Sequence, residues 1–479
     1  MSYMSHIMVN KMVLKEEYVK VLKEIVGPKR ISTEYVDRVF YSKDLGMDPT
    51  ELPGAVLLPK TVDEIVKIVT FANKNKIPIY VMGRGSGLLG FGVKEDSIVL
   101  VLSGMNKILN IDKKHLTVTT ETGAVWLAVN STLWKQGYEL CAQWHGGVIS
   151  STLGGAVTAN TVARTSEDGT AFGETVVSLE VVLPNGQVIR TGSAANPKSI
   201  PFERYTLGPD LTGLFIGSEG TFGIITKVSL KIRRKRDITD YLSFAFRDYH
   251  DAVDAIVELQ HQNLMQFGIL IQGAILEKDI ICKLHIVLTG DANNIEYKKK
   301  LAEAICRSHH GERSNAEHAK NFWETYYYSW LRGYPTKQYY VRSGIPYFCP
   351  EVNGYFPFEQ LPKIFDAVWE EWNTNPDIKK YKGLFKAMDT FITRNVGFVW
   401  FDPLFPKLDP DAVKFGLQFR NKMLELFMEL GGCPAAMSSA TSPVILSKIG
   451  PTYEFMKLLK KAIDPNNILN PGVLFPEEL

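Results

Sequence analysis

Apolar positions recur at helical spacing near the start of the chain. Leu14, Tyr18, Val21, Leu22 and Ile25 share one face over residues 14–27, and Gly27 closes the run, which predicts an amphipathic helix. A short strand AVLLP (Ala55 to Pro59) follows. TVDEIVKIVTFANKNK then reads as a helix, with Thr61 as its cap and Glu64 in the capping-box position. IPIYVM (Ile77 to Met82) returns to a strand pattern. Farther on, SIVLVLS and LTVTTETG read as strands and VWLAVNSTLWKQG as a helix. TVVSLEVVLPNGQVIRTG reads as a hairpin turning at Asn185-Gly186, and GIITKVSLKIRRKR as a long strand ending in a basic run, Arg233 to Arg236. That run is read as a solvated strand end or linker rather than a nucleic-acid patch.

The texture changes beyond Asp237 to alternating strands and longer helices with aromatic-rich passages such as FWETYYYSW and GFVWFDPLFP. This predicts a boundary near 237. The C-terminal YEFMKLLKKAIDPNNILNPGVL reads as a helix and a Pro/Asn/Gly-rich loop, too small to stand alone and expected to dock elsewhere. The domain expectation is therefore 1–236, 237–445 and a returning segment 446–479.

Composition narrows the class. The 479 residues, 45% hydrophobic and 22% charged, are those of an ordinary globular chain. Lys and Arg total 54 against 52 acids, so no extended field points to nucleic acid or an anionic membrane. Five cysteines, Cys141, Cys282, Cys306, Cys349 and Cys433, form no C-x-x-C pair and suggest neither a disulfide framework nor a zinc ribbon. No apolar run reaches membrane-spanning length and no secretory h-region stands at the N-terminus. A cytoplasmic location is expected.

Gly85-Ser86-Gly87-Leu88-Leu89-Gly90 satisfies G-x-G-x-x-G directly after a strand. A nicotinamide-binding loop, however, must run into a helix and find an acid about 20 residues on. Here FGVKEDSIVLVLS follows, a turn and a strand, and the later position falls near Leu102. What survives is a run of backbone N–H groups that can cradle a pyrophosphate without a helix. GGVISSTLGGAVTAN (Gly146 to Asn160) and GSEGTFGIIT (Gly217 to Thr226) are two further glycine-rich loops tied to strands. Three such loops can surround an extended phosphorylated cofactor from several sides.

Taken in order, PKTVDEIVKIVTFANKNKIPIYVMGRGSG, MNKILNID, STLGGAVTAN, LEVVLPNGQVIRTG, GPDLTGLFIGSEGTFGIITK and DPNNILNPG resemble the flavoprotein oxidoreductases of the vanillyl-alcohol oxidase / p-cresol methylhydroxylase family. Within it, GRGSG and GSEGTFGIIT are most similar to the glycolate oxidase and D-lactate dehydrogenase branch. The resemblance implies an α+β fold: an FAD-binding domain of two α+β subdomains, plus an α+β cap with an antiparallel sheet over the flavin. By motif it implies that Gly83, Arg84, Gly85, Ser86, Gly87 and Leu88 hold the pyrophosphate. Ser151, Thr152, Gly154 and Gly155 would lie near phosphates and flavin, Gly220, Gly223, Ile224 and Ile225 near the adenine end, and Asn470 on the flavin side. Where covalent members carry a flavin-linking His, this chain has Leu88 or Phe398, so the FAD is expected to be non-covalent.

Phenol-oxidising relatives use Tyr and Arg to stabilise a phenolate, but GGCPAAMSS (Gly431 to Ser439) holds neither. No H-G-H-x-G-D-G-N-type metal run exists, and the cluster His309, His310, Glu312, Glu317 and His318 has no compact ligand spacing, so no metal is expected. Oxidation of a small 2-hydroxy acid would then need Arg for the carboxylate. Arg394, beside the flavin-facing strand, is the first choice, with Arg342 and Arg332 behind it. His145 could handle the proton and Tyr347, Tyr339 or Tyr340 could position a hydroxyl. A related alcohol, a 4-alkylphenol or a sugar lactone remains an alternative substrate. The electron acceptor is open among oxygen, a quinone, a cytochrome and a partner flavoprotein. A redox partner subunit or a homo-oligomer is compatible with the chain.

Overall fold

The computed structural model describes residues 14–44, 46, 50–87, 92–141, 150–162, 171–272, 281–321, 323–324, 340–342, 344–435 and 437–478. Three sheets follow one another along the chain.

The first is four-stranded, in the order Ile31–Ser32, Ala55–Leu57, Ile98–Val101, Ile79–Met82, and its last three strands are parallel. Helix Val62–Asn75 is the crossover between Ala55–Leu57 and Ile79–Met82. Its N-terminus is built from local chemistry: Thr61 accepts the Glu64 N–H at 3.2 Å, while Glu64 turns back to the Lys60 N–H and takes both arms of Arg30 at 2.6 and 2.7 Å. Ile65, Ile68, Val69 and Ala72 bury the apolar stripe against this sheet together with helix Glu16–Val26.

The second sheet is antiparallel, in the order Ile108–Asp112, Thr117–Glu121, Ile224–Arg234, Val176–Val182, Val188–Arg190, with Tyr138–Leu140 paired to the far end of Ile224–Arg234. The hairpin turns at Asn185-Gly186, where Gly186 takes the left-handed conformation (φ +85°) the turn requires. Helices Trp126–Trp134 and Leu153–Thr158 pack on it. These two sheets with their helices are the two α+β subdomains.

At the end of Ile224–Arg234 the basic run is engaged. Arg233 pairs with Glu139 at 2.9 Å, and Arg236 donates to Gln266 Oε1 and Thr289 Oγ1 of the third sheet. That ten-stranded sheet is antiparallel throughout and includes Ile238–Phe246, Cys282–Gly290, Phe267–Gln272, Leu384–Ile392 and Gly397–Pro406 in that spatial order. Val352–Phe356 and Cys433–Pro434 continue from the last of these.

Its strands are apolar on both faces, and the alternation divides them. Leu270, Leu284, Ile286, Leu288, Ile392, Val399 and Phe401 meet helices Tyr249–His261, Leu361–Thr374 and Pro410–Glu429. Phe267, Ile269, Ile271, Val287, Phe391 and Phe398 share a core with the second subdomain. This sheet is thereby a cap held against the rest of the molecule.

The C-terminal helix Pro451–Ile463 leads into a turn that joins the first sheet. The Ile79 N–H donates to Ile468 O at 2.7 Å and the Asn470 N–H to Ile79 O at 2.9 Å. Among the described residues no helix is long and apolar enough to cross a membrane.

Candidate active site

Where the first and second sheets meet the cap, a cavity of about 300 Å³ is enclosed by three loops and one strand face. The first loop, residues 83–87, leaves strand Ile79–Met82 and, among the described residues up to Ile98, enters no helix. None of its five backbone N–H groups donates to an acceptor among the described residues. Backbone donors left unspent in this way are available to an anionic ligand. Arg84 adds the one basic side chain among the described cavity-lining residues.

The loops approach so closely that side chains are excluded. A Cβ on Gly83 would stand 2.3 Å from Thr152 Oγ1, one on Gly154 1.8 Å from Thr122 Oγ1, and one on Gly87 2.5 Å from Asp44 Oδ2. Ser151, Thr152, Gly154 and Gly155 form the second wall, and Gly220, Gly223, Ile224 and Ile225 the third. Asn470, at φ +44°, lines the same cavity and bridges two of its walls. Its Nδ2 donates to Glu219 O at 2.5 Å, and its Oδ1 accepts the Val81 N–H at 2.9 Å. Glu219 also lines the cavity. Burial, and secondarily the nearby Asp44 carboxylate, push its carboxyl up to about 8.

The fourth wall is the cap. Phe398 and Trp400 alternate on strand Gly397–Pro406 and project to the cavity, joined by Glu351, Asn353, Ala435 and Met437. Ladder register carries this face across the sheet. One row runs Lys283, Ile271, Asp389, Trp400, Asn353, and the next runs His285, Ile269, Phe391, Phe398, Tyr355.

Every cofactor residue expected from sequence that falls among the described residues lines this cavity; Leu88 falls outside them. The expected catalytic residues separate. Arg394 is exposed in the turn between Leu384–Ile392 and Gly397–Pro406 and is not on the cavity wall, because the turn lies past the strand's end. Tyr347 is buried in the hairpin partner of Tyr340–Arg342 and also lies off the wall. Arg342 stands on strand Tyr340–Arg342, and its side chain lies outside the description, as do Arg332, Tyr339 and His145. In the histidine cluster, His309 is bonded to Glu258 at 2.8 Å and Glu312 to Arg247. Among the described residues no group of three or more His, Cys, Asp or Glu side chains is arranged to hold a metal. Glu351, Asn353, Trp400, Asp44 and Glu219 were not singled out from sequence. An acid just before a strand and an amide within it give no local signal of a shared face with residues about 50 positions away.

A cavity between three glycine-rich loops, one of which has backbone N–H groups with no acceptor among the described residues, and an aromatic cap wall is the arrangement expected of a flavin-dinucleotide site. Comparison with known proteins agrees. An FAD binding domain matches residues 53–192, and the C-terminal domain of FAD linked oxidases matches residues 441–474. The chain is similar to the glycolate oxidase subunit GlcD of Bacillus subtilis (strain 168), at 26% identity over 95% of this chain and 96% of that one. It is also similar to a probable mitochondrial D-lactate dehydrogenase of Danio rerio, at 24% identity over 95% and 91%. Among solved structures, p-cresol methylhydroxylase with substrate bound superposes with a TM-score of 0.80 at 19% identity, over 97% of this chain and 98% of that one. The chain is an FAD-linked oxidase or dehydrogenase with the p-cresol methylhydroxylase-type fold.

Proposed function

We propose that the protein dehydrogenates the CH–OH group of a small 2-hydroxy acid and holds its FAD without a covalent bond. The observation that carries the reading is the composition of the cap wall. Ala435 and Met437 line the cavity within the very stretch where the resemblance calls for a phenolate-stabilising Tyr and Arg. A phenolate would find no strong donor there. The named activities of the hydroxy-acid relatives, a glycolate oxidase subunit and a probable D-lactate dehydrogenase, support the same substrate class.

Residues 83–87 would receive the diphosphate on their main-chain N–H groups, with Arg84 beside them. Thr152 to Gly155 and Gly220 to Ile225 would close around the rest of the cofactor. Bound there, FAD supplies the acceptor for the hydride leaving the substrate carbon. Phe398 lines the cavity and has no nucleophilic atom with which to attach it. Phe398 and Trp400 line the cavity and would shield the reacting face from water. In this reading Arg342 stays the carboxylate anchor and His145 the group that takes the hydroxyl proton, while Arg394 and Tyr347 leave the site. The electron acceptor is a small oxidant or a redox partner protein.

The test is anaerobic bleaching of the flavin band against glycolate, lactate, 2-hydroxyglutarate, sugar lactones and 4-alkylphenols. Bleaching by hydroxy acids and not by phenols is expected; bleaching by phenols alone overturns the reading. Acid precipitation should release the yellow colour into the supernatant, and colour retained in the pellet would refute non-covalent binding.

A further inference from the structure

Trp400 lines the cavity and is the only residue of strand Gly397–Pro406 that is not buried. Its indole is fixed from three directions. The Nε1–H donates to Asp402 Oδ1 at 2.8 Å, and the ring meets Phe398 and Phe391 edge to face, at centroid distances of 5.9 and 6.0 Å and interplanar angles of 76° and 74°. Asp402 lies two residues along the strand, on the same face of the sheet, and is itself 6% exposed and off the cavity wall. The same carboxylate oxygen accepts the Cys349 Sγ–H at 3.4 Å, which ties Asp402 to the end of strand Ile345–Phe348. Because the indole N–H is engaged by Asp402, Trp400 brings no unpaired donor to the cavity. Glu351 and Asn353, the polar residues beside it, are bonded to each other at 2.7 Å and are 6% and 4% exposed. With Phe398, Ala435 and Met437 around it, Trp400 makes this part of the cap an apolar surface of fixed shape.

Resting on the hydroxy-acid reading, we infer that Asp402 is a positioning residue that holds Trp400 as the apolar wall for the substituent on the oxidised carbon, so the preferred substrate is a 2-hydroxy acid with an apolar side chain. Each methylene laid on such a wall leaves water and tightens binding about fourfold. A ring already locked in place needs no ordering when substrate arrives, so that gain reaches the affinity undiminished. Without the Asp402 acceptor the indole N–H must find another partner, and the ring leaves that one position. Glycolate has no substituent to place there and serves as the internal reference. A second carboxylate, as in 2-hydroxyglutarate, would give up its water to an apolar surface.

The experiment titrates the FAD-loaded protein anaerobically with glycolate, lactate, 2-hydroxybutyrate and 2-hydroxyglutarate, taking affinity from the concentration dependence of the flavin spectral change and reduction from bleaching. 2-Hydroxybutyrate is expected to bind about tenfold more tightly than glycolate, with lactate between them and 2-hydroxyglutarate no tighter than glycolate. Asp402→Ala is expected to shrink the ratio of 2-hydroxybutyrate to glycolate affinity to about threefold or less, and Asp402→Asn, which keeps an acceptor oxygen, to preserve it. Trp400→Phe lacks the N–H and should also shrink the ratio; in that background Asp402→Ala should change it by less than about twofold. Equal affinity for glycolate and 2-hydroxybutyrate in the unaltered protein, or tighter binding of 2-hydroxyglutarate, overturns the inference and leaves the hydroxy-acid reading intact. So does a ratio fully retained by Asp402→Ala, or a further fall when that change is added to Trp400→Phe. Should Asp402→Ala fail to fold, Trp400→Phe decides, and a ratio it retains overturns the inference. If none of the acids binds or bleaches the flavin, the parent reading fails and takes this one with it.

Discussion

Lys460 and Asp464 form an ion pair one helical turn apart, Nζ to Oδ2 at 2.6 Å, with both side chains fully buried. The ammonium also donates to Thr221 O at 2.8 Å and Leu469 O at 2.9 Å, and the carboxylate accepts the N–H groups of Ile468 and Leu469. All three ammonium donors are thereby spent, and the pair ties the C-terminal turn to the loop that forms the third wall of the cavity. Removing one partner strands the other as a buried charge, a loss of about 3–5 kcal/mol. Lys460→Met is therefore expected to lower unfolding stability by that order in urea melts and to release FAD on desalting. Lys461→Met, one residue on and exposed, should do neither.

Asn470 acts as a strut more than as a ligand. Its carboxamide donates to Glu219 O and accepts from Val81 N, joining the loop after Gly217 to the strand that launches the phosphate loop. Asn470→Asp replaces the donor facing Glu219 O with a second acceptor. It should weaken FAD binding at least about tenfold in fluorescence titration of the apoprotein, from the roughly 1–3 kcal/mol cost of an unsatisfied buried group. Asn470→Ala should do less, since it leaves a void and not two opposed acceptors.

These two struts mark what was and was not legible in the sequence. The glycine loops could be placed because the first directly follows strand Ile79–Met82 and the third runs directly into strand Ile224–Arg234, and their chemistry is that of the backbone, which needs no long-range partner. Helix Val62–Asn75 was legible because its cap and its stripe are both local. Lys460, by contrast, is one of two consecutive lysines in an amphipathic pattern, and only docking of the helix distinguishes the buried one from Lys461. The cap wall was hidden for a similar reason: Asn353 meets Trp400, and Trp400 meets Asp389, through antiparallel pairing that the local pattern does not specify. Arg394 illustrates the converse error. Nearness in sequence to a cavity-facing strand put it in the turn at the strand's end, where it meets solvent.

Glu219 predicts a pH dependence. Its carboxyl in the folded protein holds its proton up to about 8, from burial first and the Asp44 carboxylate second, against an ordinary value of 4.5. The folded state therefore binds more protons than the unfolded one between these values, and stability falls as pH rises through that window. Unfolding of the apoprotein in urea should show its stability declining from pH 5 to pH 9, and Glu219→Gln should flatten the slope. An unchanged slope in the variant would assign the dependence to other groups.

His285 predicts the opposite limb. Its ring is buried on the cap face, with Nδ1 2.8 Å from Ser243 Oγ, and its affinity for a proton is depressed to about 4 by burial, then by His318 and Lys283. The unfolded chain takes up a proton near 6.5 that the folded chain refuses, so stability is lost as pH falls from about 6.5 towards 4. Acid titration followed by near-ultraviolet circular dichroism should show this loss, and His285→Gln should move the acid midpoint lower.

Gly83 offers the sharpest steric test of the cofactor site. An alanine there places its Cβ 2.3 Å from Thr152 Oγ1, and Thr152 cannot simply yield, because the same oxygen caps helix Leu153–Thr158 by accepting the Gly155 N–H. Either the first loop lifts or the second wall loses its cap, and both open the narrow gap between residues 83–87 and 152–155. Gly83→Ala is expected to reduce FAD affinity at least about tenfold while leaving the fold intact by circular dichroism. Gly104→Ala, whose Cβ would meet nothing nearer than Pro59 O at 3.6 Å, should bind FAD like the unaltered protein. Normal FAD binding by Gly83→Ala would mean that the phosphate loop does not depend on its close contact with Thr152, and that the cofactor is gripped elsewhere in the cavity.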